Sequence, residues 1–256
     1  MTYSDIFNKH SFVMIRIPAG FFTMGSRKGH GESDEFPEHQ VWVDEFLVAR
    51  FPVTAGEWAL FLNQAGNPDY SYFEPSDETT VIQRNGVYYP RRDCARYPAN
   101  GVTWLGATAF CQWLSQKTGK KFRLPFEAEW EKAARGGMEH MRYPWGNDPP
   151  DGRAQFHQQW VDPRHTLSSV DSYPPNPYGL NDMVGNVWEW CADWYDSDYY
   201  KNSPQRNPKG PETGRMKVMR GGSWGCLDIQ IRCGIRLGEW PESQSSGTGF
   251  RLARWP

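Results

Sequence analysis

The sequence lacks long apolar runs, paired-cysteine motifs, histidine motifs and any excess of charge. No apolar stretch approaches the roughly 18 residues needed to span a bilayer, which argues against a membrane-spanning helix. The opening Met1-Thr-Tyr-Ser-Asp-Ile-Phe-Asn-Lys9 has no basic stretch leading into an apolar one. No secretory signal is visible there, so a cytoplasmic chain with reduced thiols is expected. The five cysteines, Cys94, Cys111, Cys191, Cys226 and Cys233, contain no CxxC. That spacing favours neither structural zinc nor a disulfide framework. The histidines, His10, His30, His39, His140, His157 and His165, form no HxH or HExxH pattern, so no zinc or iron site of that kind is expected. Lys and Arg number 28 against 30 Asp and Glu, for a net charge of −2. Such balance gives no global electrostatic reason to bind nucleic acid.

Rings and turn formers are abundant instead. The chain has 13 Trp, 12 Tyr and 14 Phe, with 25 Gly and 20 Pro. The Gly and Pro density excludes a helix bundle, and the aromatics with low net charge exclude disorder. A core of large rings separated by many turns is predicted. No linker-like stretch interrupts the 256 residues, so a single domain over 1–256 is expected.

Residues 12–25 read as two short strands around a Pro-Ala-Gly turn, 26–40 as a polar, acidic loop, and 41–48 as a further strand. Thr54 and Glu57 form a capping-box pattern. The helix it opens carries Trp58, Phe61 and Leu62 on one face and ends near Gly66. Asn85-Gly86 signals a hairpin inside an irregular 67–100. A second helix is predicted after Thr103, with Ala107, Phe110, Cys111 and Leu114 buried and Gly119 as its stop. A third follows Arg123, with Pro125 in its first turn. Beyond 140 the pattern is turns and short strands. The expected class is α+β with much irregular structure.

Four stretches carry a resemblance. They are Arg123-Leu-Pro-Phe-Glu-Ala-Glu-Trp-Glu-Lys-Ala-Ala-Arg-Gly-Gly137, Tyr143-Pro-Trp-Gly-Asn147, Tyr178-Gly-Leu-Asn-Asp-Met-Val-Gly-Asn-Val-Trp-Glu-Trp-Cys191, and Arg220-Gly-Gly-Ser-Trp224 with Gly249-Phe-Arg251. In this order the chain resembles the formylglycine-generating enzyme (sulfatase-modifying factor) family from about Phe12 to Arg254. The resemblance implies a C-type-lectin-like α+β fold. It leaves function open, because the family holds copper-dependent oxidases, modules of sulfur-transfer enzymes and non-catalytic binding proteins.

In the oxidases two thiolates, five positions apart, hold Cu(I) after the Gly-Gly-Ser-aromatic motif. Here Cys226 matches the first position and Ile231 stands at the second. One thiolate and an isoleucine do not make a linear Cu(I) site. No copper and no catalytic residue are therefore expected. The resemblance also maps a structural calcium site onto Asp182, Gly185, Val187 and Glu189. Hard Ca²⁺ suits such a turn, where two carboxylates flank backbone carbonyls.

Residues 225–248 are the most irregular part of the chain. A family-like frame encloses Gly-Cys-Leu-Asp-Ile-Gln-Ile-Arg-Cys-Gly-Ile-Arg-Leu-Gly-Glu-Trp-Pro-Glu-Ser-Gln-Ser-Ser-Gly-Thr. Relatives often have Asn, Asp and Arg there. The segment resembles the variable region of a diversity-generating-retroelement protein, in which mutated template adenines turn asparagine codons into many others. The expected ligand-binding face comprises Gly225, Cys226, Leu227, Asp228, Ile229, Ile231, Cys233, Ile235, Leu237, Trp240, Ser243 and Ser245. Its expected partner is an unidentified protein or other macromolecule, neither nucleic acid nor membrane. The competing expectation makes Ile229 and Ile231 alternating residues of a half-buried core strand.

Overall fold

The computed structural model describes residues 12–157 and 167–256. His10, His165 and the ends of the expected 1–256 domain before residue 12 lie outside them.

Chain order runs through β1 (Met14–Ile17), β2 (Gly20–Met24), β3 (His39–Val43), β4 (Phe46–Ala49), α1 (Ala55–Ala65), β5 (Val81–Arg84) and β6 (Val87–Pro90). Then come α2 (Trp104–Thr118), β7 (Phe122–Arg123), α3 (Glu127–Arg135), β8 (Trp188–Trp194), β9 (Lys217–Arg220), β10 (Arg236–Glu239), β11 (Thr248–Gly249) and β12 (Ala253–Arg254). One four-stranded sheet has the order β1-β4-β12-β7, and a second has β10-β9-β8-β11. Hairpins β2-β3 and β5-β6 complete the α+β architecture. None of the described helices is long and apolar enough to cross a membrane.

The first two helices follow their caps. The Thr54 hydroxyl accepts from the Glu57 N–H, and the Glu57 carboxylate accepts from the Thr54 N–H at 2.8 Å. Thr103 caps α2 by accepting from the Gly106 N–H at 2.9 Å, and Gly119 ends it at φ 71°. The Asn85-Gly86 hairpin joins β5 to β6 as expected, with both residues at positive φ.

Two local readings change. The strand expected over 41–48 is broken at Asp44-Glu45 into β3 and β4, which join different sheets. Pro125 lies outside α3, whose cap is Phe126. The Glu129 carboxylate takes the Phe126 N–H at 2.8 Å. Every residue of α3 is buried, the charged ones included.

The core is built from rings, as the composition predicted. Trp58, Phe61, Phe73, Phe110 and Phe250 are wholly buried and packed edge-to-face, tilted or stacked against one another. Two other wholly buried indoles find acceptors for their N–H groups. Trp190 donates to the Val102 carbonyl at 2.8 Å and Trp130 to Glu189 at 2.7 Å. The half-buried Trp104 donates to the Cys191 carbonyl at 2.9 Å.

Candidate functional site

Strands β9 and β10 form an antiparallel pair with Arg220 opposite Arg236. Their connection, residues 221–235, carries the first half of the irregular segment. Gly222 opens it at φ +76°, where an added Cβ would meet the Gln230 carbonyl. This close approach folds the loop back on itself. Residues Asp228–Gln230 then form a single 3-10 turn rather than a strand.

The turn separates residues that alternation would have placed on one face. Leu227 and Ile229 are each 51% exposed, whereas Ile231 is wholly buried. Gly225 and Asp228 are exposed with them. Ile231 packs in a small cluster with Tyr143, Ala154, Phe156, Val184 and Cys226. Cys226 is therefore a core residue and not a surface one. Its sulfur lies 3.6 Å from the Ser223 hydroxyl, and its carbonyl accepts from the His157 N–H at 2.9 Å. Cys233 and Ile235 are buried too, and burial pushes the Cys233 thiol up to about 12. Cys226, Ile231, Cys233 and Ile235 thus leave the expected face: Cys226 and Ile231 fill the cluster around Tyr143 and Phe156, Cys233 packs in the core with α3, and Ile235 is buried beside it in sequence.

Beyond the loop, Leu237 and Trp240 are exposed at 38% and 54%. Leu237 sits on β10, an edge strand of its sheet. Ser245 is exposed and Ser243 half-buried. The 240–245 turn is tied to the body by the Trp104 N–H on the Pro241 carbonyl and by Gln244 on the Tyr70 carbonyl. The exposed members fall into two groups, one on the 225–230 turn and one at the far end of β10.

What the sequence did not disclose is the ionic frame beneath this loop. Arg220 lies wholly buried and donates to Glu131 and to the carbonyls of Cys233, Gly234 and Ile235. Arg232 forks onto Glu35 with two bonds of 2.8 Å, and Arg236 forks onto Glu127 at 2.8 and 2.9 Å. Paired bonds of this kind fix position as well as charge. They pin both ends of the loop to α3 and to the 26–38 segment. The latter has the composition of a polar loop, yet it contributes the buried Glu35.

The expected calcium turn divides in two. Asp182, at φ 53°, is buried, and burial drives its carboxyl up to about 8. Among the described residues its Oδ2 has no hydrogen-bond partner, while its Oδ1 accepts from Asn186 at 3.4 Å. An orphaned buried carboxylate oxygen suits a cation. Glu189 fits less well. Arg251 holds its two oxygens at 2.6 and 2.7 Å, and Trp130 adds a third bond. Among the described residues no three His, Cys, Asp or Glu side chains converge on a metal position.

The profile of the sulfatase-modifying factor enzyme 1-like domain matches residues 7–256. The chain belongs to this family. A serine/threonine-protein kinase pkn1 of Chlamydia pneumoniae is 38% identical over 94% of the chain. The chain spans only 38% of that relative's length. The formylglycine-generating enzyme of Streptomyces coelicolor is 36% identical over 93% of the chain and 88% of its own. Among solved structures, PvdO from Pseudomonas aeruginosa superposes with a TM-score of 0.79 at 32% identity, covering 95% of this chain and 94% of its own. Treponema denticola variable protein 1 gives a TM-score of 0.75 at 26% identity, covering 95% of each chain.

Ile231 thus occupies a sealed hydrophobic site, while Leu227 and Ile229 nearby face solvent.

Proposed function

We propose that this chain is a non-catalytic, ligand-binding member of the sulfatase-modifying factor family. Its binding surface comprises Gly225, Leu227, Asp228 and Ile229 on the loop and Leu237, Trp240, Ser243 and Ser245 at the far end of β10. The observation that carries the reading is the parting of Ile231 from Leu227 and Ile229. The residue at the second copper position fills the core, and the residues beside it offer apolar surface to solvent. Exposed apolar clusters of this kind mark interaction surfaces, and an exposed Trp such as Trp240 makes an effective anchor. The likeness to Treponema denticola variable protein 1 supports a display role in which these positions vary.

The reading predicts a sharp contrast in tolerance. Leu227→Ser, Ile229→Ser and Trp240→Ser should each leave stability within about 0.5 kcal/mol of the parent. Ile231→Ala should cost about 2–5 kcal/mol, as cavity-forming core substitutions do. Denaturant melts of the four variants check this, and comparable losses at Leu227 and Ile229 would remove the surface from consideration. In the genome, a near-copy of the coding repeat for 225–248, differing only at adenines and lying beside a reverse transcriptase gene, is expected.

The enzymatic reading draws on the 36% identity to the Streptomyces coelicolor formylglycine-generating enzyme. A Cu(I) titration of the reduced protein separates the two. No tight binding is expected, since a single thiolate beside Ile231 lacks a soft partner. Stoichiometric uptake with oxygen consumption would establish the oxidase instead.

Calcium is proposed as a structural ion of the 182–189 turn. Asp182 would supply the free carboxylate oxygen and Gly185 and Val187 their carbonyls, with Glu189 shared with Arg251. Saturating Ca²⁺, at about 100 times its dissociation constant, should stabilise the protein by roughly 2.7 kcal/mol. Asp182→Ala should abolish that gain in a thermal melt. A melt indifferent to both calcium and chelator would dispose of the site.

A further inference from the structure

A cavity of about 570 Å³ opens between the 25–38 segment, the 140–147 turn and the tip of the 225–230 loop. Its charges are not balanced within its walls. Arg27, Arg135, Arg142 and Arg232 line it together with His30 and His140, against Glu32 and Glu38. The carboxylates that neutralise Arg135 and Arg232 are Glu131 and Glu35, and neither is part of the lining. Arg135 and Arg232 thus line the cavity while their counter-ions lie outside its lining. On the rim, Glu38 is shared by Arg27 and His140, each at 3.5 Å. Arg142 is the least committed cation. Among the described residues it meets a carboxylate at 3.9 Å, from Asp228, and lies against the Tyr143 ring.

An excess of guanidinium in a concave site attracts anions, because the field is focused there and Arg matches oxyanions with paired donors. The apolar part of the lining comes from Met141 and Ile229. We infer that this cavity is a binding site for a small organic oxyanion, a carboxylate or phosphate monoester, whose apolar substituent rests on Ile229. Arg142 and Arg27 receive the anionic group, and Ile229 selects the group attached to it. The volume lies within the range of small-ligand sites. This inference does not require residues 225–248 to be diversified, and it holds or falls separately from the absence of catalysis.

The test is calorimetric titration of the full chain with three probes: inorganic phosphate, isovalerate and the neutral isostere isovaleramide. Phosphate and isovalerate should bind saturably, and isovaleramide should not. Arg142→Ala should weaken both anions by about tenfold, the scale of one lost charge-assisted hydrogen bond. Ile229→Ala should weaken isovalerate and leave phosphate unchanged. Both substituted side chains are exposed, so each variant should melt with the parent. Arg27→Ala, on the opposite rim, provides a second cationic variant. The inference is overturned if isovaleramide binds as well as isovalerate. It is equally overturned if both arginine variants retain parental affinity, or if neither anion saturates by about 20 mM, far weaker than a millimolar site.

Discussion

Arg220→Ala is expected to destabilise the protein by about 3–5 kcal/mol, the scale for removing one partner of a buried ion pair. The loss has two parts. Glu131 keeps its bonds to Arg135 at 2.6 and 2.9 Å but loses its second cation. The carbonyls of Cys233 and Gly234 lose a buried donor. Each such orphaned group costs about 1–3 kcal/mol. Arg220→Lys should rescue little, because one ammonium cannot reproduce a planar fork that reaches Glu131 and three carbonyls. Urea denaturation measures the free energy, and hydrogen exchange at residues 233–235 reports the loop. A loss below about 1 kcal/mol, with exchange unchanged, would mean that the hydrophobic cluster around Ile231 holds the loop without the arginine.

The second large effect is a pH dependence that Asp193 imposes. Asp193 is buried and accepts the Glu127 N–H at the start of α3 at 2.8 Å. Burial, and then the nearby Glu127 carboxylate, push its carboxyl from the usual 3.8 up to about 8. Between those two values the folded protein keeps a proton that the unfolded chain has released. This contribution to stability is therefore complete below about pH 4 and lost as pH rises through about 8, at roughly 1.4 kcal/mol per pH unit. Glu127 and Glu35 act in the opposite sense. Arg236 and Arg232 hold their carboxyls below the usual value, against burial, so their contribution is lost only in acid. Across pH 5–8 Asp193 shares this falling slope with Asp182 and Glu57, whose carboxyls burial raises to about 8 and about 7. Asp193→Asn keeps an acceptor for the Glu127 N–H and has no proton to lose. Its stability should fall less steeply than that of the parent over pH 5–8, by roughly 1.4 kcal/mol per pH unit, with the variant gaining relative to the parent as pH rises to 8. Parallel curves would show that Asp193 titrates normally.

Local rules carried part of the fold. The α1 and α2 boundaries were legible because Thr54, Glu57, Thr103 and Gly119 act within a few residues of themselves. The hairpin at Asn85-Gly86 followed for the same reason. The start of α3 was misplaced because the Glu129 carboxylate, and not the restricted backbone of Pro125, satisfies the free N–H at the cap. The frame of the candidate site was hidden by sequence distance. Arg232 and Glu35 lie 197 residues apart, and Arg220 and Glu131 lie 89 apart. No periodicity in a single sequence reports such pairs. The irregular segment was found from its chemistry, but its exposure was not readable. Ile229 and Ile231 look equivalent in sequence, and only the 3-10 turn between them decides which one meets solvent. The cavity has a faint signal in the run Gly25-Ser-Arg-Lys-Gly-His-Gly31, whose cations are masked by the acidic residues that follow in 32–38.

Strand β12 lies between β4 and β7, pairing Ala253 with both Val48 and Arg123. This placement dictates an order of events during synthesis. Strands β1 and β4 and all three helices leave the ribosome well before the residues that complete their sheet. Until residues 253–254 arrive, β4 and β7 present unpaired edges, and such edges recruit other chains. A nascent chain stalled anywhere in the candidate binding loop would therefore carry an open sheet. Loop variants of the same length leave that closing strand untouched, so their yield should track core packing and not the identity of the displayed residues.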